Sequence, residues 1–487
     1  MDINLVQEAL QNVNIGAIMP SLVLVCFGMG ILLVNVFMPR GKTAPAMVLS
    51  LVAIVAAAVA SLSAWTTPEF GFAGMVANDK FATFFNFSFL IATGLTILMS
   101  ESYLDREDYK VGEYYPLLLF TTAGAMWMAS GTDMMTIFLG LEVMSVSLYV
   151  LAGFMRGQVR SNEAGLKYFL LGAFSTGFLL YGMALLYGVT GTTNVADIGR
   201  FLAGNPEQLT AAMTLAGMVL LSVGFLFKIA AAPFHMWTPD VYQGAPTPIT
   251  AFMSAGPKAA AFAAFLRVFF LGLGELQNEW TAALWILAVL TMIAGNFIAI
   301  FQTDLKRMLA YSSIAHAGYA LVGMVAANEV GVSGILFYML AYTFMNIGAF
   351  AVLTLAGKKG EDNLTLEGFS GFGYKKPLLA ILLSIFLFSL MGIPPTAGFA
   401  GKFYIFAGAV KAGYVWLAII GVLNSAVSLY YYLRVMVYMY FRDPTEDYGW
   451  VKMNAGAAVA LAITIAGVLY LGIIPGTVME LAKSALF

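Results

Sequence analysis

The run TAAMTLAGMVLLSVGFLFKIAAAPFHMWTPDVYQ, residues 210–243, decides the fold. Residues 210–227 carry no charge, and an apolar stretch of about 18 residues or more reads as a helix crossing a bilayer. Lys228 then interrupts it, and Pro233 follows five residues on. Proline removes a backbone donor and clashes with the preceding turn, so the helix is expected to break there. Inside a membrane, freed backbone is tolerated only where it is buried in protein or lines a wet cavity. This one segment therefore implies a helical membrane protein with a polar interior.

Composition extends the reading to the whole chain. Of 487 residues, 61% are hydrophobic and 10% charged, whereas a soluble domain is about a quarter charged. No stretch is long and polar enough for a separate soluble domain. The polar start, Met1 to Asn14, carries Asp2 and Glu8 but no basic signal-peptide region, so the first span is expected to be retained. Cys26 is the single cysteine, which excludes an internal disulfide and an iron–sulfur cluster built by this chain. His235 and His316 are the only histidines, too few for an ordinary zinc or haem site. A Walker A loop and a dinucleotide fingerprint are absent, which argues against nucleotide-driven pumping by this chain.

Apolar periodicity predicts an all-α polytopic membrane protein of about fourteen transmembrane helices, near residues 16–38, 44–65, 80–100, 113–130, 133–154, 163–188, 210–243, 247–271, 281–301, 305–327, 330–356, 376–410, 413–440 and 453–474. The twelfth is expected to break like the seventh, at Gly392-Ile-Pro394-Pro395. With the N-terminus outside, the cytoplasmic loops hold Arg40, Lys42, Arg106, Lys110, Arg156, Arg160, Lys306, Arg307, Lys358, Lys359, Lys375, Lys376, Arg442 and Lys452. The opposite loops hold only Lys80, Arg200, Lys411 and Lys483. That asymmetry predicts both termini on the outer side.

Besides Arg267 and Arg434, five charges lie within the spans: Glu142, Lys167, Lys228, Lys258 and Lys402. Each costs roughly 2.5–3.5 kcal/mol at a bilayer centre, so charge or proton movement is the leading functional reading. Glu142 is expected to pair with Lys228, either as a working switch or as a static tie between helices. Lys258 lies among small residues that leave room for water, which suits a central relay. Lys402 follows the second break and suits a terminal relay. Lys167 lies about one turn into its helix, so a snorkelling surface lysine is an equal reading. His235, ahead of His316, is a candidate to extend a hydrogen-bonded water chain, and Ser312, Ser313, Tyr319, Asn346, Asn424 and Tyr431 could line it; for each of these six alone, helix–helix hydrogen bonding is the plainer reading. Arg267 and Arg434 fall near the ends of their spans and are expected to snorkel. Asp133 is expected to cap the fifth helix near the surface.

A faint internal repeat is visible. Asp133 and Asp304 open helices five and ten, Gly165 and Gly334 start the next ones, and the two broken helices correspond. The expected organisation is an N-terminal three-helix segment (1–110), a five-helix repeat (111–272), a second, inverted repeat (273–441) and a C-terminal helix (442–487). Inverted repeats with paired broken helices mark transporters whose site lies near the midplane.

Several segments together carry a specific resemblance: FLGLEVMS (138–145), NEAGLKYF (162–169), FKIAAAPFHMWTPDVYQGAPTP (227–248), QTDLKRMLAYSSIAH (302–316) and GIPPTAGFAGKFY (392–404). With them the chain resembles, over essentially its whole length, the antiporter-like membrane subunits of respiratory complex I, most closely the N type. Lysine at 402 argues against the M type, and the end of the chain soon after span fourteen argues against the L type with its lateral helix. The resemblance implies a proton-translocating subunit in the membrane arm of an NADH-quinone oxidoreductase, in a bacterial inner membrane with both termini periplasmic. It implies that Glu142, Lys228, Lys258 and Lys402 are the pump residues and that Lys167 is the family's sixth-helix lysine. It implies that NADH, FMN, iron–sulfur clusters and quinone are held by partner subunits and that this chain holds no cofactor. K-type and M-type neighbours, the lateral helix of the L-type subunit and lipid are the implied partners, and no nucleic acid. The alternatives are an Mrp-type cation/proton antiporter subunit, a structural membrane-arm subunit with static ion pairs, and a membrane-bound hydrogenase or photosynthetic relative.

Overall fold

A computed structural model describes residues 13–38, 41–361, 363–445 and 453–487. The polar residues Asp2 and Glu8, and the basic residues Arg40 and Lys452, lie outside the described residues. The spans are helices: α1 (Met19–Phe37), α2 (Ala44–Thr66), α3 (Lys80–Glu107), α4 (Tyr114–Ser130), α5 (Met134–Ala152), α6 (Val159–Thr190), α7 in two pieces (Ala212–Ile229 and Thr238–Gly244), α8 (Thr247–Arg267), α9 (Gln277–Ile300), α10 (Leu305–Ala326), α11 (Glu329–Ala356), α12 in two pieces (Pro377–Met391 and Ala397–Lys411), α13 (Val415–Phe441) and α14 (Ala455–Ile473). An end helix, α15 (Pro475–Ser484), follows.

All fourteen expected segments are helical, and the protein is an all-α multi-pass membrane protein. By length and apolarity, twelve single helices among the described residues can cross a membrane, or up to thirteen if a bent pair counts as one span. The shortfall from fourteen has two sources. Helix α4 has 17 residues, and α12 is split into halves of 15 residues each. One departure is β structure between α2 and α3, where Glu69–Gly71 and Val76–Asn78 pair antiparallel, Glu69 opposite Asn78.

Helix α8 lies at the centre, with every residue buried, and α10 and α11 are nearly as enclosed. Helices α1, α2 and α6 turn apolar side chains such as Leu33, Val55 and Phe174 outward. Inside a bilayer there is little hydrophobic drive to bring helices together, so close packing of small residues does it. A Cβ on Gly124 of α4 would lie 2.5 Å from the Met144 nitrogen of α5, and one on Gly295 of α9 would lie 2.5 Å from the Ala315 nitrogen of α10. These backbones touch directly.

Two expectations about charges at span ends are corrected. Arg267 does not snorkel. It is 2% exposed, its Nη1 and Nη2 each donate to Asp79 at 3.0 Å, and its Nε donates to the Ala129 carbonyl at 3.1 Å. Asp79 also caps α3 by accepting from the Ala82 amide. Asp133 does cap α5, accepting from the Met135 amide, but it is buried, because the Thr193–Asn194 segment crosses over it and the Thr193 hydroxyl donates to it at 2.7 Å. Removing one member of a buried pair leaves its partner charged and unmatched, at a cost of about 3–5 kcal/mol. Arg267→Ala is therefore expected to lower the thermal unfolding temperature in detergent markedly, followed by tryptophan fluorescence. Arg267→Lys should recover only part, since lysine cannot form the two-pronged contact.

Candidate functional site

Both broken spans end their first halves deep in the protein. In α7 the first half stops with Ala230 left-handed at φ 61°, and the Ala231 amide bonds back to the Leu226 carbonyl. The Phe227 carbonyl accepts from the Ala230 amide at 3.0 Å and from Trp237 Nε1 at 3.1 Å, and the Ala232 amide donates to the Thr291 hydroxyl at 2.9 Å. In α12 the first half stops at Gly392, whose φ of 89° is one that glycine adopts without strain. The last carbonyls of any helix have no partner within it. Here the Leu390 and Met391 carbonyls accept from Lys402 Nζ at 2.9 and 3.0 Å, and Ser425 Oγ from α13 takes a third bond at 2.8 Å. The negative end of the half-helix thus faces the ammonium directly.

Lys228 sits in the last turn of its own half-helix. Its Nζ donates to Ser145 Oγ of α5 at 2.7 Å and lies over the rings of Tyr149, Tyr168 and Phe227 at 5.6, 5.7 and 5.9 Å. The expected Glu142–Lys228 contact is not made. Glu142 is partly buried, its Oε1 has no hydrogen-bond partner among the described residues, and Ser145, one turn along the same face of α5, takes the ammonium instead.

Lys258 follows Pro257 inside α8. The proline cannot bond the carbonyl four residues back, and Tyr242 fills that role by donating its hydroxyl to the Met253 carbonyl at 3.2 Å. The Lys258 ammonium bonds Ser313 of α10 through the carbonyl, at 2.8 Å, and the hydroxyl. Lys228, Lys258 and Lys402 are 5%, 3% and 4% exposed, and among the described residues none touches a carboxylate.

Hydroxyls and amides fill the space between Lys258 and Lys402. Ser312 bonds the Tyr432 hydroxyl, whose oxygen lies 3.3 Å from His316 Nε2, while His316 Nδ1 bonds Tyr338. Tyr319 offers its ring to Lys402 at 4.7 Å, and its hydroxyl bonds Asn296, as does the Tyr431 hydroxyl. Asn296 also donates to Asn424, and Asn346 to Ser254. Of the two histidines, the structure brings His316 into this region. His235 stays in the α7 break, half-buried, with Nδ1 lacking a partner.

Lys167 stands apart from the three buried lysines. It is half-exposed and bonds Glu163 and Asp240 at 2.7 Å each. Asp240 also accepts from Arg307 at 2.6 Å, and Arg307 reaches Gln243, which donates to Asp304. This chain of charges ties the second half of α7 to α6 and α10. Sequence reading placed Lys306 and Arg106 in loops and gave Asp240 and Glu361 no role. Lys306 is instead 2% exposed, bonding Glu361 at 2.8 Å and the Ala245 carbonyl at 2.7 Å, with Arg106 also on Glu361 at 3.5 Å. The available signal was the Lys306-Arg307 pair beside the Asp304 cap. Among the described residues, no three His, Cys, Asp or Glu side chains gather as a metal site.

Half-exposed ion pairs each contribute up to about 1 kcal/mol. Asp240→Asn loosens two of them, so amide hydrogen exchange over residues 233–244 is expected to rise roughly five- to tenfold while exchange in α8 stays unchanged.

Comparison with known proteins shows the family of the chain. The family described as NADH:quinone oxidoreductase/Mrp antiporter, TM, matches residues 131–428. NADH-quinone oxidoreductase subunit N of Trichlorobacter lovleyi is 59% identical over 485 residues, covering 100% of this chain and 99% of the relative. The subunit N of Chloroflexus aggregans is 43% identical, with 97% of each chain covered. Among solved structures, a chain of respiratory complex I from Thermus thermophilus with bound aureothin matches at TM-score 0.80 and 35% identity, covering 96% of this chain and 100% of that one. A chain of the Mrp complex from Dietzia sp. DQ12-45-1b matches at TM-score 0.82 but 20% identity, covering 96% of each, and so shares the fold alone. The chain belongs to the subunit N family of NADH-quinone oxidoreductases, antiporter-like membrane proteins of respiratory complex I.

Proposed function

We propose that this subunit moves protons across the membrane as part of a complex I that couples quinone reduction to pumping, and that its own residues carry protons rather than electrons. The observation that carries the reading is the set of three buried ammonium groups, Lys228, Lys258 and Lys402, each held by neutral oxygens and none by a carboxylate of the described residues. A buried charge without a counter-ion is costly. Its protonation therefore responds strongly to any charge brought near, which a permanently paired lysine would not do. Static ion pairs are correspondingly disfavoured as the role of these three. Identity to curated subunit N relatives favours the quinone-reductase setting over an Mrp-type antiporter.

In this scheme protons enter from the cytoplasmic side near the α7 break and load Lys258. Closing or opening of the Glu142–Lys228 pair changes how readily Lys258 holds its proton. Transfer then follows the hydroxyls and His316 towards Lys402, and release is to the outer side. Lys167 and His235 lie on the entry side of that path. The chain would form two inverted five-helix repeats. Matched features support this: Asp133 and Asp304 cap α5 and α10, and each forms an antiparallel bridge, with Asn194 and Thr365 respectively. K-type and M-type subunits and the lateral helix of the L-type subunit are the proposed neighbours, with NADH, FMN, iron–sulfur clusters and quinone held elsewhere in the complex. The proposed location is a bacterial inner membrane with both termini periplasmic.

Glu142→Gln and Lys258→Ala, each in the assembled complex, are expected to lower proton translocation into membrane vesicles by tenfold or so, the scale of losing one strong charged interaction. Lys167→Ala should do much less, because its partners are at a solvated end. Wild-type translocation in both of the first two variants would overturn the scheme.

A further inference from the structure

The α5 face opposite Lys228 presents more than one place for the ammonium. Glu142, Ser145 and Tyr149 are spaced three and four residues apart and so line up on one side of the helix. The ammonium now rests on Ser145 Oγ at 2.7 Å, with the ring faces of Tyr149 and Tyr168 at 5.6 and 5.7 Å. Ring faces attract cations, more strongly where water is excluded. The Tyr149 hydroxyl has no partner, so what this residue offers Lys228 is the ring. Glu142 Oε1 is buried and unbonded, about one helical turn away along the same face. A flexible lysine side chain spans that separation by changing rotamers.

We propose that Ser145, together with the ring faces of Tyr149 and Tyr168, is the resting place of the Lys228 ammonium when it is parted from Glu142. This positioning site sets the balance between the open and the closed pair. The inference rests on the reading that the Glu142–Lys228 pair opens and closes during turnover. Without a built resting place, the open state would leave an ammonium unbonded in apolar surroundings, and the pair would remain closed. The hydroxyl and the two rings bring the open state within reach of the closed one, so a modest signal can move the equilibrium.

The test uses membrane vesicles containing the complete complex, normalised to the amount of this chain assembled in it. Ser145→Ala removes a hydrogen bond to a charged group, which shifts the balance about tenfold towards the closed pair. It is expected to lower proton translocation several-fold. Ser145→Thr keeps the hydroxyl and is expected to restore it, which a loss of mere packing would not allow. Tyr149→Phe should leave translocation unchanged and Tyr149→Leu should lower it. In a Glu142→Gln background the closed pair is already lost, so adding Ser145→Ala should change nothing further. Wild-type translocation in Ser145→Ala, failure of Ser145→Thr to restore it, or losses that multiply with Glu142→Gln would each overturn the inference. Wild-type translocation in Glu142→Gln alone would overturn the alternating pair itself, and the proposed role of Ser145 with it.

Discussion

The structure depends on keeping ammonium groups out of water with neutral oxygens, not carboxylates, bonded to them. At Lys402 the solution is visible in atomic terms: two carbonyls from the end of a half-helix and one serine hydroxyl surround the nitrogen. Backbone carbonyls at a helix C-terminus carry partial negative charge. They stabilise an ammonium without contributing a full opposite charge that would trap the proton there. Lys228 occupies the last turn of the other half-helix, so the same field acts on it. Lys258 has no helix end to face, and instead reaches a serine carbonyl and hydroxyl on α10.

That arrangement explains the breaks. An unbroken helix already spends each carbonyl on its own hydrogen bond, so it offers an ammonium only a shared one, as Ser313 does to Lys258. Ending a helix halfway releases carbonyls where the lysines are. The exposed backbone then needs partners, and the sequence supplies them: Trp237 for the Phe227 carbonyl, Thr291 for the Ala232 amide, and Tyr242 for the Met253 carbonyl that Pro257 leaves free. Each of these sits within protein, as backbone irregularity in a membrane demands.

What could be read from the sequence follows from what is local. Helix positions were legible because an apolar run must be about as long as the bilayer is thick, and the breaks were legible because proline acts on its own turn. The identities of Lys228, Lys258 and Lys402 as buried groups followed from their position within those runs. Partners were not legible, because they come from distant parts of the chain. Arg267 looked like a snorkelling residue until Asp79 was found beside it, and Lys306 looked like a loop residue until Glu361 was. The choice of Ser145 over Glu142 by Lys228 turns on one helical turn of placement, which no periodicity reveals.

The charges divide into two classes. Several near the span ends are tied by carboxylates: Arg267 to Asp79, Lys306 to Glu361, and Lys167 and Arg307 to a shared Asp240. The three lysines deep in the spans are not. Paired charges resist change, since separating them in low dielectric costs several kcal/mol. Lone ones held by dipoles respond to small shifts of a neighbouring charge, because nothing nearby screens it. Fixed ties at the periphery thus hold the helices in place while the interior charges remain free to answer one another. A uniform distribution of pairs would give a stiffer bundle but no responsive interior, and a uniform lack of them would leave the broken helices unsupported.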